Sequence, residues 1–561
     1  MTRALWRITL FLICVVVPIL VHWQIAQVGL ALTHSDMATA LLTSDRIRAG
    51  HWSPFSFQMD YAGTTLTNFR ALWCAIWEKV STAPNADWTA QMAFSYLLTP
   101  VLFSTSVVVL LSAYCSRLAT AIVGLVFAVG FQFMIAHWGN DAYFTYLCGG
   151  MLLLAWRARF ENPWTQLTGR QFFWVGVACG ILAYTSRISM IFILVFFLPI
   201  PYFWEQLKRL TRATDRVDRV LRDAGAALLV FFILLSSFGG ELGTVGGKMV
   251  KLHADPNLAY FYLTQLLRYI RWGWAERKTE VFRLNLRRAA PLALGFGIGM
   301  IPEWIHRIHG LYRIHAPLRT YNFQGSATIL GRVPLALKEI FGAGPTIAMT
   351  LSAWLVTAAL IALGIRARVD RRFRPVAFSA ILITAAFCRI YNYEFGYVPY
   401  LLPIIPAVAL GMGALWDWAI RRRGAVVLAA LGLLTAGHLY GQLRAHSTSA
   451  RELRESGTIE RGIEIASTFK EQGLHVVVTD DYWDSNQNSV FAHGDPLFVR
   501  DVVDALRHPR AIELAQSEKS VGFIFRRAKG PLTETQAYGR RFSLTFLKRV
   551  GEVDLYLGKA E

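Results

Sequence analysis

The chain has 561 residues, of which 54% are hydrophobic and only 17% charged, with Trp 18, Tyr 20 and Phe 36. A soluble domain carries nearer a quarter charged residues, and here apolar runs of roughly 17–22 residues recur, long enough to cross a bilayer core of about 30 Å. The net charge of +20 gathers in Lys and Arg clusters between those runs, where positive-inside topology puts it, so a cytosolic enzyme, a secreted domain and a nucleic-acid-binding module are excluded.

In chain order, Arg3 and Arg7 precede a first span over Ile8–Leu32, which is too long for a signal-peptide core and lacks a small-residue cleavage site. The N-terminus is therefore expected in the cytoplasm, with the polar, aromatic stretch from His34 to Asn68 outside. Further spans are expected at Phe94–Tyr114, Leu118–Ala136, Ala142–Trp156, Phe172–Thr185 and Ile188–Trp204. A charged segment holding Lys208, Arg209, Arg212, Arg216, Arg219 and Arg222 then reads as cytoplasmic. Ala224–Gly239 and the glycine-rich Pro291–Ile305 are apolar, but alternating crossings need one more span between them. Leu258–Trp274 supplies it, although it carries Arg268 and Arg271, and buried arginines cost several kcal/mol in lipid unless they are paired or snorkel. An interfacial helix there, with a re-entrant neighbour, is the second choice. The last spans read at Pro345–Ile365, Ala377–Arg389, Pro399–Ile420 and Ala425–Gln442. Residues 366–374 and Arg421–Arg423 form cytoplasmic anchors.

The expected fold is thus a polytopic α-helical membrane protein of roughly 11–13 spans, covering residues 1–445, with its first outer loop at 33–92. Residues 446–561 change character. Gly462–Gln472 and Val502–Arg507 read as helices, and His475–Thr479, Val521–Phe525 and Val553–Leu557 as strands, so this part is a small α/β domain on the periplasmic or extracellular side. Cys14, Cys74, Cys115, Cys148, Cys179 and Cys388 show no CxxC or metal-ligand spacing and read as core filler.

The spans are mostly clean, and the polar residues gather at the outer mouth. Met37, Ala40, Leu41, Ser44 and Ile47 recur at helical spacing, which predicts a surface helix after the first span, with Asp36 at its start. A loop over residues 51–64 follows, then a Trp-rich amphipathic stretch, Phe69–Val80. Asp36, Gly50, Pro54-Phe55, Asp60-Tyr61 and Gly63-Thr64 together resemble the first outer loop of the GT-C glycosyltransferases, of the dolichyl-phosphate-mannose protein mannosyltransferase kind. These membrane enzymes take sugars from polyprenyl-phosphate carriers. The segments Gly176–Ser186, Tyr400–Ala409 and Asp481-Tyr-Trp483 are similar to later parts of bacterial members, in the same order. Many members carry Asp-Glu where this chain has Asp36-Met37.

The resemblance implies transfer of one sugar from a polyprenyl-phosphate donor to a lipid, glycan or protein acceptor at the outer face of the inner membrane, with inversion. Asp36 is then the base for the acceptor hydroxyl, with Asp60 and Tyr61 beside the substrate. Asp141, in the turn His137–Asp141, is a candidate for binding sugar hydroxyls. Phosphate suits the arginine fork, and Arg389, beside Tyr391 and Glu394, is the first candidate, Arg187 the second. Each has a plainer reading: Asp36 and Asp141 as helix caps, Arg389 as a snorkelling residue. His306 and His309 share a helix face, but no third ligand is identified, so no metal and no cofactor are expected. A transporter or flippase of a lipid-linked glycan is the alternative from another class; a non-catalytic relative whose outer domain binds a partner is the third.

Overall fold

A computed structural model describes residues 2–32, 35–53, 63–81, 86–135, 138–161, 163–186, 212–238, 241–245, 248–251, 254–276, 280–308, 332–390, 398–422, 424–479, 482–500, 509–526 and 532–561. Among these residues, five helices are long and apolar enough to cross a membrane. They are α1 (Arg3–Leu32), α4 (Asp87–Tyr114), α13 (Thr346–Val369), α15 (Leu401–Arg422) and the apolar part of α16 (Ala425–Glu455). Between α1 and α4 lie the two short helices of the first loop, α2 (Ser35–Arg48) and α3 (Thr65–Val80). The chain is a polytopic helical membrane protein that ends in a small sheet domain.

The third expected span, Leu118–Ala136, is shorter than the apolar run suggests. Helix α5 (Arg117–Val129) stops at Gly130, whose φ of +74° lies in the left-handed region and breaks the helix. Helices α6 (Asp141–Arg157) and α7 (Gly169–Thr185) match their predicted spans closely. The stretch Ile188–Trp204 lies outside the described residues.

The charged middle resolves in physical terms. Helices α8 (Arg216–Phe238) and α9 (Ala254–Glu276) pack together across a hairpin, β1 (Glu241–Val245) and β2 (Lys248–Lys251). The Arg268 guanidinium, with its side chain fully buried, donates Nε to Asp218 Oδ1 at 2.6 Å, Nη2 to the Arg212 carbonyl at 3.0 Å and Nη1 to Gln265 Oε1 at 3.2 Å. Arg271 reaches Asp215 at 2.9 Å. Arg268 is thus paired with Asp218 of α8, and the exposed Arg271 with Asp215 just before that helix, so neither charge is isolated, but α9 is not among the five helices apolar enough to span.

Helix α10 (Glu280–Gly299) starts earlier than the sequence pattern indicates and breaks before α11 (Ile301–Ile308). It lies along α7 through glycines on both sides. A Cβ at Gly176 would strike the Leu292 carbonyl, one at Gly180 the Phe296 carbonyl, and one at Gly295 or Gly299 the Phe173 or Val177 carbonyl. Paired small residues four apart are how membrane helices bring their backbones into contact. Helix α12 (Arg332–Phe341) precedes α13, and α14 (Arg374–Ile390) follows it.

Helix α16 continues ten residues past the expected boundary at 445/446, so the last span enters the C-terminal domain without a break. In that domain the strands run in the order β4-β3-β5-β8-β7-β6. Strands β3 (Val476–Thr479), β4 (Leu497–Arg500) and β5 (Ser520–Arg526) are parallel, while β6 (Glu534–Ala537), β7 (Arg540–Val550) and β8 (Val553–Ala560) are antiparallel. Every residue of β3 is buried, as expected of a strand covered on both faces. Val477 joins Phe469 of α17 (Thr458–Glu471) on one face, and Val476 and Val478 pack with Ala515 of α19 (Pro509–Ser517) on the other. Helix α18 (Tyr482–Phe491) packs on α2, and its Gln487 donates to the Ala31 carbonyl at the end of α1 at 3.2 Å. The expected helix Val502–Arg507 lies outside the described residues.

Candidate functional site

The first loop is organised by one arginine. Helix α3 is amphipathic: Phe69, Leu72, Ile76 and Val80 are exposed, while Thr67, Arg70, Ala71 and Cys74 point inward. The guanidinium of Arg70 is fully buried. Its Nε and Nη2 donate to the two carboxylate oxygens of Asp141 at 3.0 and 2.5 Å. Nη1 donates to the Gln91 carbonyl at 3.1 Å and Ser95 Oγ at 2.8 Å, and Nη2 also reaches the Gly139 carbonyl at 3.4 Å. The fork also lies 4.6 Å from the centroid of the Phe94 ring. All five N–H groups thus have acceptors, which a planar fork achieves and an ammonium does not. This bidentate pair ties α3, α4 and the start of α6 into one unit.

Asp141 is accordingly held at the first residue of α6, while the cap is its neighbour Asn140, whose Oδ1 accepts from the Tyr143 N–H at 3.3 Å. Asp36 falls in the first turn of α2, and its side chain lies outside the described residues. The next residue, Met37, is fully buried, packs over Gly139, and receives the Tyr96 hydroxyl on its sulfur at 3.7 Å. The turn at Asp36-Met37 therefore lies against the turn at Gly139–Asp141. Methionine suits position 37 because a carboxylate there would be a buried charge packed on the Gly139 backbone and the Tyr96 ring.

The Gly63-Thr64 turn docks elsewhere, on the end of α7. Gly63 donates to the Thr185 carbonyl at 3.0 Å, the Thr64 N–H donates to the Tyr184 hydroxyl at 3.1 Å, and the Thr65 and Thr185 hydroxyls lie 2.8 Å apart. A Cβ at Gly63 would sit 2.8 Å from Tyr184 Cζ and 2.9 Å from Thr185 Cα, so the approach requires glycine. Buried Glu303 on α11 lies within electrostatic reach of Tyr184. The two segments that suggested the resemblance from far apart in the chain thus meet directly. Asp60, Tyr61, Arg187, Tyr391 and Glu394 lie outside the described residues, as do the side chains of Arg389 on α14 and His306 on α11. An apolar cavity of about 140 Å³ opens beside this assembly, lined by α3, α4 and α6 through Phe69, Leu102, Phe144, Thr145 and Cys148, among others.

A second polar cluster sits where α2, α3, α4 and the C-terminal domain meet. Arg48 bridges Asp45 and Asp87, each at 2.6 Å, and also pairs with Glu78. Gln91 donates to Asp45 Oδ1 at 2.7 Å, and the His493 ring stacks on Trp88 with centroids 4.8 Å apart. Burial and the neighbouring Asp87 push the Asp45 carboxyl up to about 7 against the pull of Arg48. Burial lowers His493, with Asp87 opposing it. Arg70 and this cluster escaped the sequence reading. The signal available was a lone arginine on the inward face of an amphipathic helix, which needs a partner that spacing cannot name. Burial also pushes the Cys74 thiol up to about 12, in keeping with a cysteine that packs and does not react.

No protein-family model matches the chain, and no curated protein matches it in sequence. Solved structures do match in fold. The ArnT structure from Cupriavidus metallidurans, bound to undecaprenyl phosphate, superposes with a TM-score of 0.53 at 13% identity, covering 99% of this chain and 98% of that one. The Archaeoglobus fulgidus oligosaccharyltransferase in its apo form gives a TM-score of 0.51 at 11% identity, covering 94% of this chain and 70% of that one. The fold is of the GT-C type.

Proposed function

We propose that this protein is an integral membrane glycosyltransferase that moves one sugar from a polyprenyl-phosphate carrier to a lipid, glycan or protein acceptor at the outer face of the membrane. The observation that carries the reading is the convergence of the Asp36 turn with the Arg70–Asp141 unit beneath the C-terminal domain, within a GT-C-type fold. In that reading Asp36 removes the proton from the acceptor hydroxyl as its oxygen attacks the anomeric carbon. The bond to the phosphate oxygen breaks on the opposite side, so one displacement inverts the centre. Asp141, with both oxygens engaged by Arg70, is assigned to holding the adjoining turn in place.

Arg389 and Arg187 are assigned to the departing phosphate, where a fork donates two hydrogen bonds to a developing dianion. Asp60, Tyr61, Tyr391 and Glu394 are assigned to sugar and acceptor hydroxyls. The apolar cavity beside α3 supports the reading because a prenyl chain needs a dry path next to a wet headgroup site. The test is transfer in vitro: purified protein in lipid nanodiscs, polyprenyl-phosphate hexose and pentose donors, and mass analysis of membrane acceptors. Release of free polyprenyl phosphate with matching gain of one sugar mass supports the proposal. Translocation of an intact lipid-linked glycan with no transfer overturns it in favour of a flippase.

A further inference from the structure

We propose that Asp45, Asp87 and His493, with the Gln91 side-chain oxygen, form a binding site for one divalent metal ion of the zinc type, which clamps the C-terminal domain onto the first loop. Three elements supply the groups. Asp45 lies on α2 three residues before Arg48. Asp87 and Gln91 lie one helical turn apart at the start of α4, on one face. His493 comes from the corner between α18 and β4. One ligand atom from each of Asp45, Asp87 and His493 lies within 4.8 Å of the others. A tetrahedral ion with bonds of about 2.0–2.2 Å brings its ligand atoms to about 3.4 Å apart. The contraction needed is at most about 1.4 Å, within reach of carboxylate and imidazole rotations.

Charge and unsatisfied valence both point to a cation. The carboxyls of Asp45, Asp87 and Glu78 face one guanidinium, Arg48, so with all three ionised, as metal binding requires, two negative charges are in surplus and a divalent ion would match them. Lys470 is the other cation close enough to act on His493. Arg48 contacts Oδ1 of both aspartates, so each retains its Oδ2. Gln91 gives the independent sign. It is 2% exposed, its Nε2 is spent on Asp45 Oδ1 and the Leu41 carbonyl, and its Oε1 is buried with no hydrogen-bond partner. A buried amide oxygen left bare costs about 1–3 kcal/mol, and a metal ion at the cluster would occupy it. Two carboxylates, an imidazole and an amide oxygen suit a borderline ion such as Zn²⁺ better than Mg²⁺ or Ca²⁺, which take all-oxygen sets.

The experiment uses the full-length protein in detergent, stripped with EDTA and titrated with Zn²⁺, with Co²⁺ as the spectroscopic probe. Wild type is expected to bind one Zn²⁺ per chain, to show Co²⁺ visible bands of a nitrogen- and oxygen-ligated ion, and to melt at higher temperature with Zn²⁺ than with EDTA. His493→Gln changes an exposed side chain and leaves the fold intact. It is expected to weaken Zn²⁺ by about tenfold or more, since even outer-sphere losses cost about 10–100-fold, and to abolish the melting shift. Asp87→Asn should do the same. No stoichiometric ion in wild type, or equal Zn²⁺ affinity in wild type and His493→Gln, overturns the proposal and leaves Arg48 as the counter-charge of the carboxylates.

Discussion

Replacing Arg70 by methionine keeps the length and apolar stem of the side chain and removes every donor to Asp141. The carboxylate is 2% exposed, and no other hydrogen bond to its side chain is present among the described residues. Two charge-assisted hydrogen bonds are lost at about 1.5–3 kcal/mol each, in line with about 3–5 kcal/mol for breaking a buried pair from one side. The Gln91 and Gly139 carbonyls and Ser95 lose a donor as well. The companion change, Arg70→Met with Asp141→Leu, removes both charges and should recover most of that loss, because a buried pair is worth little against apolar groups of similar size. Equilibrium unfolding in mixed detergent, followed by tryptophan fluorescence, gives the double-mutant cycle. A coupling of about 2 kcal/mol or more is expected. A cost under about 1 kcal/mol for Arg70→Met, or a double variant no better than the single one, would refute the structural role of the pair.

Gly180→Val should drive α7 and α10 apart, since its Cβ meets the Phe296 carbonyl; overpacking costs about 1–3 kcal/mol or more, read as lost yield of folded protein by size-exclusion fluorescence. Tyr184→Phe removes the acceptor for the Thr64 N–H and should cost about 1–3 kcal/mol, while Tyr184→Ala should cost more; a cost near zero for both would detach the Gly63 turn from α7. Asp45 binds its proton more tightly folded than unfolded, so between about 4 and about 7 the folded state holds the extra proton and stability declines as pH rises. In EDTA, Asp45→Asn should flatten that slope and exceed wild type in stability above pH 7, measured by melting temperature against pH.

What was legible in the sequence was set by local pattern. Long apolar runs and flanking arginines place the helices from Phe94 to Tyr114 and from Ala425 onward, because crossing lipid forces backbone hydrogen bonds inside one segment. The strand at Val476–Thr479 was visible because burial on both faces demands a continuous apolar run. Strand β7 was not. It is exposed on one face, carries Arg540, Arg541, Lys548 and Arg549, and its alternation slips at an irregularity between Phe546 and Lys548. The start of α10 was missed for a similar reason, since Arg283, Arg287 and Arg288 mask an apolar stripe that begins before Pro291.

For the site, adjacency in sequence carried the Gly63-Thr64 turn, which docks on the end of α7. It could not carry Arg70 to Asp141, which are 71 residues apart, nor His493 to Asp87 across two domains. Those pairings come from packing, and packing at that range has no periodicity to read. Position 37 shows the same limit from the other side: the methionine departs from the pattern of the family it resembles, and only its burial over Gly139 supplies the reason.

The most direct test of the proposed chemistry compares lipid-linked sugars and envelope glycans, by mass, in a strain lacking the gene and in that strain complemented with wild type or with Asp36→Asn at matched expression. Asparagine caps a helix about as well as aspartate but cannot take a proton from an acceptor hydroxyl. The account predicts that deletion removes one sugar increment, that wild type restores it, and that Asp36→Asn does not. Restoration by Asp36→Asn to the wild-type level would contradict it and reduce Asp36 to a cap.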